Sequence, residues 1–171
     1  MNEEQRVLQK VLIVGCGDVG VRVARLVRAR GGLVTAVARS HGSEARLEEL
    51  GLKIVPGNLD DPGALDKLEM TGKMVFYLAP PPGGGPFDSR MRNFCQAIGK
   101  DRAPAKIVYV STSGVYGDCG GEWVTEETPI NPQTSRAQRR ADAEATLREW
   151  GQGHGVPVVI LRVTGIYGPG R

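Results

Sequence analysis

The sequence predicts a doubly wound α/β fold, a parallel sheet with helices on both faces, and three observations predict it. Short apolar runs rich in valine and isoleucine alternate with helical stretches along the whole chain. The first run leads directly into Gly15-Cys16-Gly17-Asp18-Val19-Gly20, a glycine turn that opens a helical pattern. The joints carry the glycine, proline and aspartate that end or begin elements: Gly31-Gly32, Gly51, Pro56-Gly57 and Gly151 as stops, Asp61-Pro62 as a start.

Taken in order, residues 11–14, 33–38, 53–55, 74–79, 106–111 and 156–162 read as six parallel strands, because they are short, apolar and β-branched. Helical stretches fall between them at residues 19–30, 43–50, 62–70, 88–100 and 135–150. In the first of these, Val19, Val23, Leu26 and Val27 share one face. Right-handed crossovers then favour the strand order 3-2-1-4-5-6, with a ligand crevice at the carboxyl ends of the strands. No repeat or interdomain linker interrupts the pattern, so residues 1–171 read as a single domain. The one low-complexity segment, Pro80-Pro81-Pro82-Gly83-Gly84-Gly85-Pro86, sits where strand four meets the crevice, as either a mobile lip or a connector.

Bulk properties narrow the function classes. The 171 residues carry 22 basic and 19 acidic side chains, a net charge of +3, interspersed rather than gathered in blocks; nothing there supports nucleic-acid binding. Cys16, Cys95 and Cys119 are odd in number and far apart, and with His41 and His154 as the only histidines they suit reduced thiols better than a disulfide scaffold or a metal site. The polar start Met1-Asn2-Glu3-Glu4-Gln5 and the lack of any apolar run near ~18 residues argue against a leader or a membrane span. The expectation is a soluble cytoplasmic protein.

The glycine turn points to a dinucleotide. Gly15 permits a tight turn off the strand, Gly17 lets the backbone approach a pyrophosphate, and Gly20 allows the helix to pack closely on the sheet. The amides of Asp18 and Val19 lie at the helix start, where the dipole favours phosphate. Nineteen residues beyond Gly20, Arg39-Ser40 follows strand two, and no Asp or Glu occurs between Val34 and Gly42. A carboxylate there would suit the ribose of NAD, whereas a cation suits a 2′-phosphate, so the sequence predicts NADP(H), with NAD as the alternative. Arg39 read without a ligand is a solvated surface arginine.

Further motifs resemble a known family: Gly57-Asn58-Leu59-Asp60-Asp61, Val110-Ser111-Thr112-Ser113-Gly114-Val115-Tyr116-Gly117, Glu127-Thr128-Pro129, and Leu161-Arg162-Val163-Thr164-Gly165-Ile166-Tyr167-Gly168-Pro169-Gly170. Together with the glycine turn they resemble the extended short-chain dehydrogenases/reductases, the NAD-dependent epimerase/dehydratases, over almost the whole chain and in the family's order. The resemblance implies a Rossmann fold. It implies adenine contacts at Asn58 and Leu59, although Asn58 equally suits a turn after Gly57. Leu78, Ala79 and Pro80 fall beside the nicotinamide-side ribose by the same resemblance. It implies hydride chemistry on a nucleotide sugar or another hydroxyl or carbonyl substrate.

The catalytic residues match only in part. Thr112 occupies the position of the family's substrate-orienting hydroxyl, or else bonds its own backbone. Counting from Pro132 places Arg136 where the family has its acid/base tyrosine and Arg140 where it has the lysine that holds ribose. A guanidinium stays protonated and cannot exchange a proton near neutral pH. Arg136, Arg140, Glu144 and Arg148 also repeat every four residues, as in a salt-bridged helix face. By the resemblance Tyr116 and Tyr167 belong to structural Tyr-Gly turns; Cys119 reads as either a reactive thiol or an inert loop cysteine, and His154 as solvated. The chain resembles atypical members that lack the tyrosine, and a non-catalytic redox sensor or interaction module is the alternative to an enzyme. The family's substrate lobe has no counterpart before Arg171, so the expectation is the amino-terminal part of a longer protein or a natural short form. A homo-oligomer through the fourth and fifth helical stretches follows from the resemblance alone; Met91, Phe94, Cys95 and Ile98 could as easily face the core.

Overall fold

A computed structural model describes residues 10–66 and 68–168. The start at Met1–Gln5 and the terminal Pro169-Gly170-Arg171 lie outside the described residues. The elements are β1 (Lys10–Val14), α1 (Asp18–Ala29), β2 (Leu33–Ala38), α2 (His41–Glu49), β3 (Lys53–Pro56), β4 (Met74–Tyr77), α3 (Ser89–Ala97), β5 (Lys106–Thr112), α4 (Ser135–His154) and β6 (Val158–Val163). Short 3-10 turns cover Pro62–Leu65, Lys100–Arg102 and Ser113–Tyr116. All five strand pairings are parallel, and the order is β3-β2-β1-β4-β5-β6 as the alternation predicts. This is the doubly wound Rossmann arrangement.

The continuous apolar runs follow from burial on both sheet faces. Along β1, Leu12 and Val14 enter one core with Val75, Tyr77, Ile107 and Tyr109, while Val11 and Ile13 enter the other with Ala24, Val27, Ala36 and Leu47. Alternate residues point to opposite faces, so a strand covered twice has no position for a polar side chain. Tyr77 stands at the centre, its ring 5.0 Å from Phe94 and 5.7 Å from Tyr109 in edge contacts. Met91, Phe94, Cys95 and Ile98 all belong to this core, so they offer no face to a partner.

Three elements differ from the sequence expectation. The stretch 62–70 is not a helix: only the 3-10 turn Pro62–Leu65 forms. Leu65, Leu68 and Met70 are all buried, at 0%, 1% and 0% exposure, and an α-helix would turn Met70 away from the other two. On α1 the buried residues are Gly20, Ala24 and Val27, whereas Leu26 is 57% exposed, because the helix leans on the sheet through its small residues. Gly151 does not stop α4: the helix runs on to His154 and ends at Gly155, which takes the left-handed conformation (φ 65°). Gly151 is instead a crossing point, where a Cβ would lie 2.6 Å from Val158 Cγ2. His154 is exposed and stacked 4.5 Å from the Trp150 ring.

Edge strand β6 is held by charge. The fully buried Glu144 carboxylate of α4 accepts from Ser111 Oγ (2.6 Å), Arg148 Nη2 (3.1 Å) and Arg162 Nη2 (2.8 Å). Arg162 also donates to the Tyr116 hydroxyl (2.9 Å) and lies 4.8 Å over that ring. The carboxylate beside it drives the Arg162 pKa further up, so its charge is permanent. Removing one partner of such a network leaves a buried ion short of donors. Arg162→Ala is therefore expected to lower stability by about 3 kcal/mol and Ser111→Ala by about 1 kcal/mol, measured by urea unfolding; equal, negligible losses would contradict this role for Glu144.

Candidate functional site

The carboxyl ends of β1, β2, β3 and β4 surround a cleft of about 370 Å³. It opens where the chain leaves β1 for one side of the sheet and β4 for the other, the place where an open α/β sheet binds its ligand. Gly15 turns there with φ 86°, and a Cβ on it would lie 2.4 Å from the Ala79 amide nitrogen. Only glycine fits, both for the left-handed angle and for the approach of two backbones. Gly20 packs behind the turn, its missing Cβ 3.2 Å from Cys16 Sγ and Ile13 Cγ2. Gly17 is different: its φ of −80° suits any residue, and nothing of the protein lies within 4 Å of where its Cβ would be.

Gly17 caps α1, whose first helical hydrogen bond runs from Val21 N–H to the Gly17 carbonyl (3.0 Å). The first-turn amides, those of Val19 and Gly20 among them, therefore face the helix start, toward the open space at Gly17. The Asp18 side chain pairs with Arg22 at 3.3 Å on the helix surface, outside the cleft wall.

The cleft lining includes nine of the residues singled out from the sequence. Gly15 and Gly17 form one end, Arg39 and Ser40 follow β2, Asn58 and Leu59 follow β3, and Leu78, Ala79 and Pro80 follow β4. Asp18, Val19 and Gly20 lie behind the turn rather than on the wall. Asn58 makes a turn, its Oδ1 accepting from the Asp60 amide at 3.1 Å, and it lines the cleft at the same time. The Ser40 and Ser43 hydroxyls stand 3.2 Å apart, and Ser43 Oγ donates to the Ser40 carbonyl (2.7 Å) at the start of α2. Arg39 is exposed at the rim.

Sequence reasoning missed three charged residues here. Arg90, at the start of α3, forms a two-pronged pair with Asp60, Nε to Oδ1 at 2.7 Å and Nη2 to Oδ2 at 2.8 Å, and its Nη1 donates to the Pro80 carbonyl at 3.1 Å. It thereby fastens the loop after β3 to the proline-rich segment after β4. That segment is also held by Arg139, which donates to the Gly85 carbonyl at 2.7 Å. Arg46 of α2 donates to the Cys16 carbonyl (3.0 Å), bracing the glycine turn from the neighbouring helix. Thirty residues separate each pair, Asp60 with Arg90 and Cys16 with Arg46, so no local pattern marks either.

The local fields follow from these contacts. Arg90 holds the Asp60 carboxyl below the usual carboxylate range, with a smaller contribution in the same direction from Arg39, against the upward push of partial burial. Burial raises the Cys16 thiol, and the Arg46 charge offsets part of that rise. Cys16 is thus a protonated, packed side chain near neutral pH.

The profile of the NAD dependent epimerase/dehydratase family matches residues 11–171 of this chain. The chain belongs to that family. Among its curated relatives, Protein YeeZ of Escherichia coli (strain K12) is 33% identical over 177 residues, covering 96% of this chain and 61% of YeeZ. D-erythronate dehydrogenase of Cupriavidus necator is 27% identical, covering 90% of this chain and 54% of that protein. The chain thus spans a little over half the length of these relatives. The solved UDP-glucose 4-epimerase of Thermus thermophilus, in complex with NAD, shares the fold with a TM-score of 0.76 at 24% identity, over 95% of this chain and 57% of that one.

The residues that the sequence resemblance matched to catalytic positions sit as follows. Thr112 Oγ1 accepts from the Gly114 amide at 3.1 Å and caps the 3-10 turn after β5. Arg136 is exposed in the first turn of α4. Arg140 is buried, its Nη1 directed at the Val110 carbonyl (3.0 Å), the Tyr109 hydroxyl (3.1 Å) and the Ala79 carbonyl (3.5 Å). The four-residue repeat on α4 is not one salt-bridged face: Glu144 pairs with Arg148, while Arg140 turns inward to the ends of β4 and β5. Cys119 is half-buried, its Sγ 3.8 Å from the Tyr116 carbonyl, and no cluster of metal-binding side chains occurs among the described residues.

The Asp60–Arg90 pair has a direct readout. A folded pKa below the unfolded one makes its contribution to stability present above the usual carboxylate range and lost as pH falls through the folded value. We expect the Asp60 carboxyl, followed by carbon-detected NMR, to titrate below the ordinary aspartate midpoint, and to return to it in Arg90→Ala. An unchanged midpoint in that variant would contradict the assignment.

Proposed function

We propose that this chain is the NADP(H)-binding domain of an epimerase/dehydratase-like oxidoreductase acting on a nucleotide sugar or another hydroxyl or carbonyl substrate. The observation that carries the reading is the open space at Gly17. The protein's own atoms give no reason for glycine there, whereas Gly15 is dictated by a backbone clash and Gly20 sits in a tight contact. A pyrophosphate seated over Gly17 supplies the reason, and the first-turn amides of α1 supply its hydrogen bonds.

The remaining cleft residues divide along the dinucleotide. Asn58 and Leu59 take the adenine, Arg39 with Ser40 takes a 2′-phosphate, and Leu78, Ala79 and Pro80 run beside the nicotinamide-side ribose. Arg39 favours phosphate over a bare ribose because a guanidinium pairs with it in two-pronged, charge-assisted fashion. Asp60 faces the same region with its charge balanced by Arg90. When bound, the cofactor supplies or accepts hydride at its nicotinamide ring. In an enzyme Thr112 would orient the substrate hydroxyl, and the proton would come from a group other than Arg136, which holds its own permanently.

A second reading has its own observation. Thr112 and Arg140 are both engaged with the protein's own backbone, and the resemblance matches Arg136 to the family's acid/base phenol. A dinucleotide-responsive module without turnover needs none of these three. Nicotinamide absorbance across a panel of sugar nucleotides and carbonyl compounds, run with the full-length protein, separates the two: turnover abolished in Thr112→Ala supports the enzyme, and tight cofactor binding with no turnover supports the module.

Cofactor binding itself is tested by three variants. Gly17→Ala is expected to keep wild-type stability and bind NADPH about tenfold more weakly or worse, a loss near 1.4 kcal/mol. Gly15→Ala is expected to lose about 2 kcal/mol of stability or more, from the left-handed angle and the backbone clash together. Arg39→Ala is expected to weaken NADPH by about tenfold to a hundredfold while leaving NADH unchanged. Titrations in which wild type prefers NADH, or in which Gly17→Ala binds normally, would overturn the proposal.

A further inference from the structure

The end of the sheet opposite the cofactor cleft holds a second cavity, about 420 Å³, with a wall of strong positive charge. Lys10 begins β1, Lys53 begins β3 and Lys73 immediately precedes β4. All three line the cavity together with Arg28 of α1, and among the described residues no aspartate or glutamate does. The parallel register puts them in a row: Lys10 stands opposite Leu33 on β2, Lys53 opposite Thr35, and the pairing of Val11 with Met74 brings Lys73 alongside Lys10. Lys106, opposite Met74 at the start of β5, continues the row beyond the cavity.

Lys10, Lys53 and Arg28 are exposed, and two of the four cations are tied to backbone carbonyls. Lys73 is only half-exposed, and its stem is fixed by a bond from Nζ to the Glu69 carbonyl at 2.5 Å. Burial lowers its pKa, Lys53 and Lys10 lower it further by repulsion, and only the nearby Glu69 carboxylate opposes them. That carboxylate is itself bonded to the Thr71 amide at 2.8 Å, away from the lining. Arg28 is held in place by the Leu50 carbonyl, and the room for its guanidinium comes from Gly51, where a Cβ would lie 3.1 Å from Nη1. Like charges gathered in one place repel one another, and a counter-charge that joins them relieves the repulsion. Leu33, 69% exposed, and Val34 add an apolar side to the same cavity.

We propose that this cavity binds a small diphosphate-bearing molecule, at the pole of the sheet away from the dinucleotide. Neighbouring strands are about 4.8 Å apart, so Lys10 and Lys73 are spaced for one phosphate while Lys53, two strands from Lys10, reaches a second group linked to it. A cavity of this volume takes a ligand of nucleotide size, with Leu33 and Val34 against its uncharged part. The site stands apart from the cofactor reading and survives or fails separately from it.

The test is calorimetric titration with inorganic pyrophosphate and, separately, with ADP, into protein already saturated with NADPH. Wild type is expected to bind pyrophosphate at one site, and Lys53→Gln/Lys73→Gln to bind it at least about tenfold more weakly, with NADPH affinity and thermal unfolding unchanged. Lys10→Gln is expected to weaken it as well, which guards against a defect peculiar to the double variant. ADP binding that exceeds pyrophosphate and falls in the same variants would identify a nucleotide as the ligand; equal binding would identify the diphosphate alone. No binding by either probe, or binding that the lysine variants leave intact, overturns the proposal.

Discussion

The site depends on one contact, the approach of the β1 carboxyl end to the β4 carboxyl end at Gly15 and Ala79. The two backbones come so close that no side chain fits between them, and the turn must take a left-handed angle to make the approach. That single constraint aims α1 at the cleft and places Leu78, Ala79 and Pro80 on its opposite wall. The Leu78 amide closes the junction by donating to the Val14 carbonyl at 2.8 Å. A helix start facing an anion needs this rigidity, because amides organise a phosphate only when they need not move to meet it.

Around that junction, arginines act as ties. Arg46 braces the glycine turn, Arg90 joins the loops after β3 and β4, Arg139 holds the proline-rich segment and Arg140 bridges the ends of β4 and β5. Each directs its fixed donors at backbone carbonyls, which a planar fork does well. Arg140 is the most deeply engaged of these arginines, with three acceptors around one nitrogen. Arg140 is anchored to the sheet ends, where it also donates to the carbonyl of Ala79 on the cleft wall. Glu144 plays the matching part on the far side, gathering β5, β6 and α4 around one buried carboxylate.

Most of the framework was legible in the chain. The six apolar runs, their parallel order and the glycine turn were readable because burial of the central strands and a strained turn leave few residue types admissible. Arg39 was readable because it directly follows strand two, whereas Asn58 and Ala79 came from the family resemblance; all three line the cleft. The stretch at 62–70 misled because Leu65 and Leu68 share a helical face while Met70 does not, and burying all three excluded the helix. Arg90 and Arg46 were invisible, since their partners are thirty residues distant and their surroundings carry no pattern.

Charge shows the same division. By itself the sequence determined a doubly wound sheet, a glycine turn at its first strand, and a cation instead of a carboxylate after its second, because each rests on residue type at a fixed local spacing. The tertiary structure alone decided which cations meet. Lysines 43 and 20 residues apart in a chain whose charges look evenly mixed become neighbours at one pole of the sheet, since parallel strands start together in space however far apart they start in sequence. It likewise decided that Gly17 faces open space while Gly15 and Gly20 are packed. A motif states which residues are glycine, and only the surrounding atoms state which of them the protein itself requires.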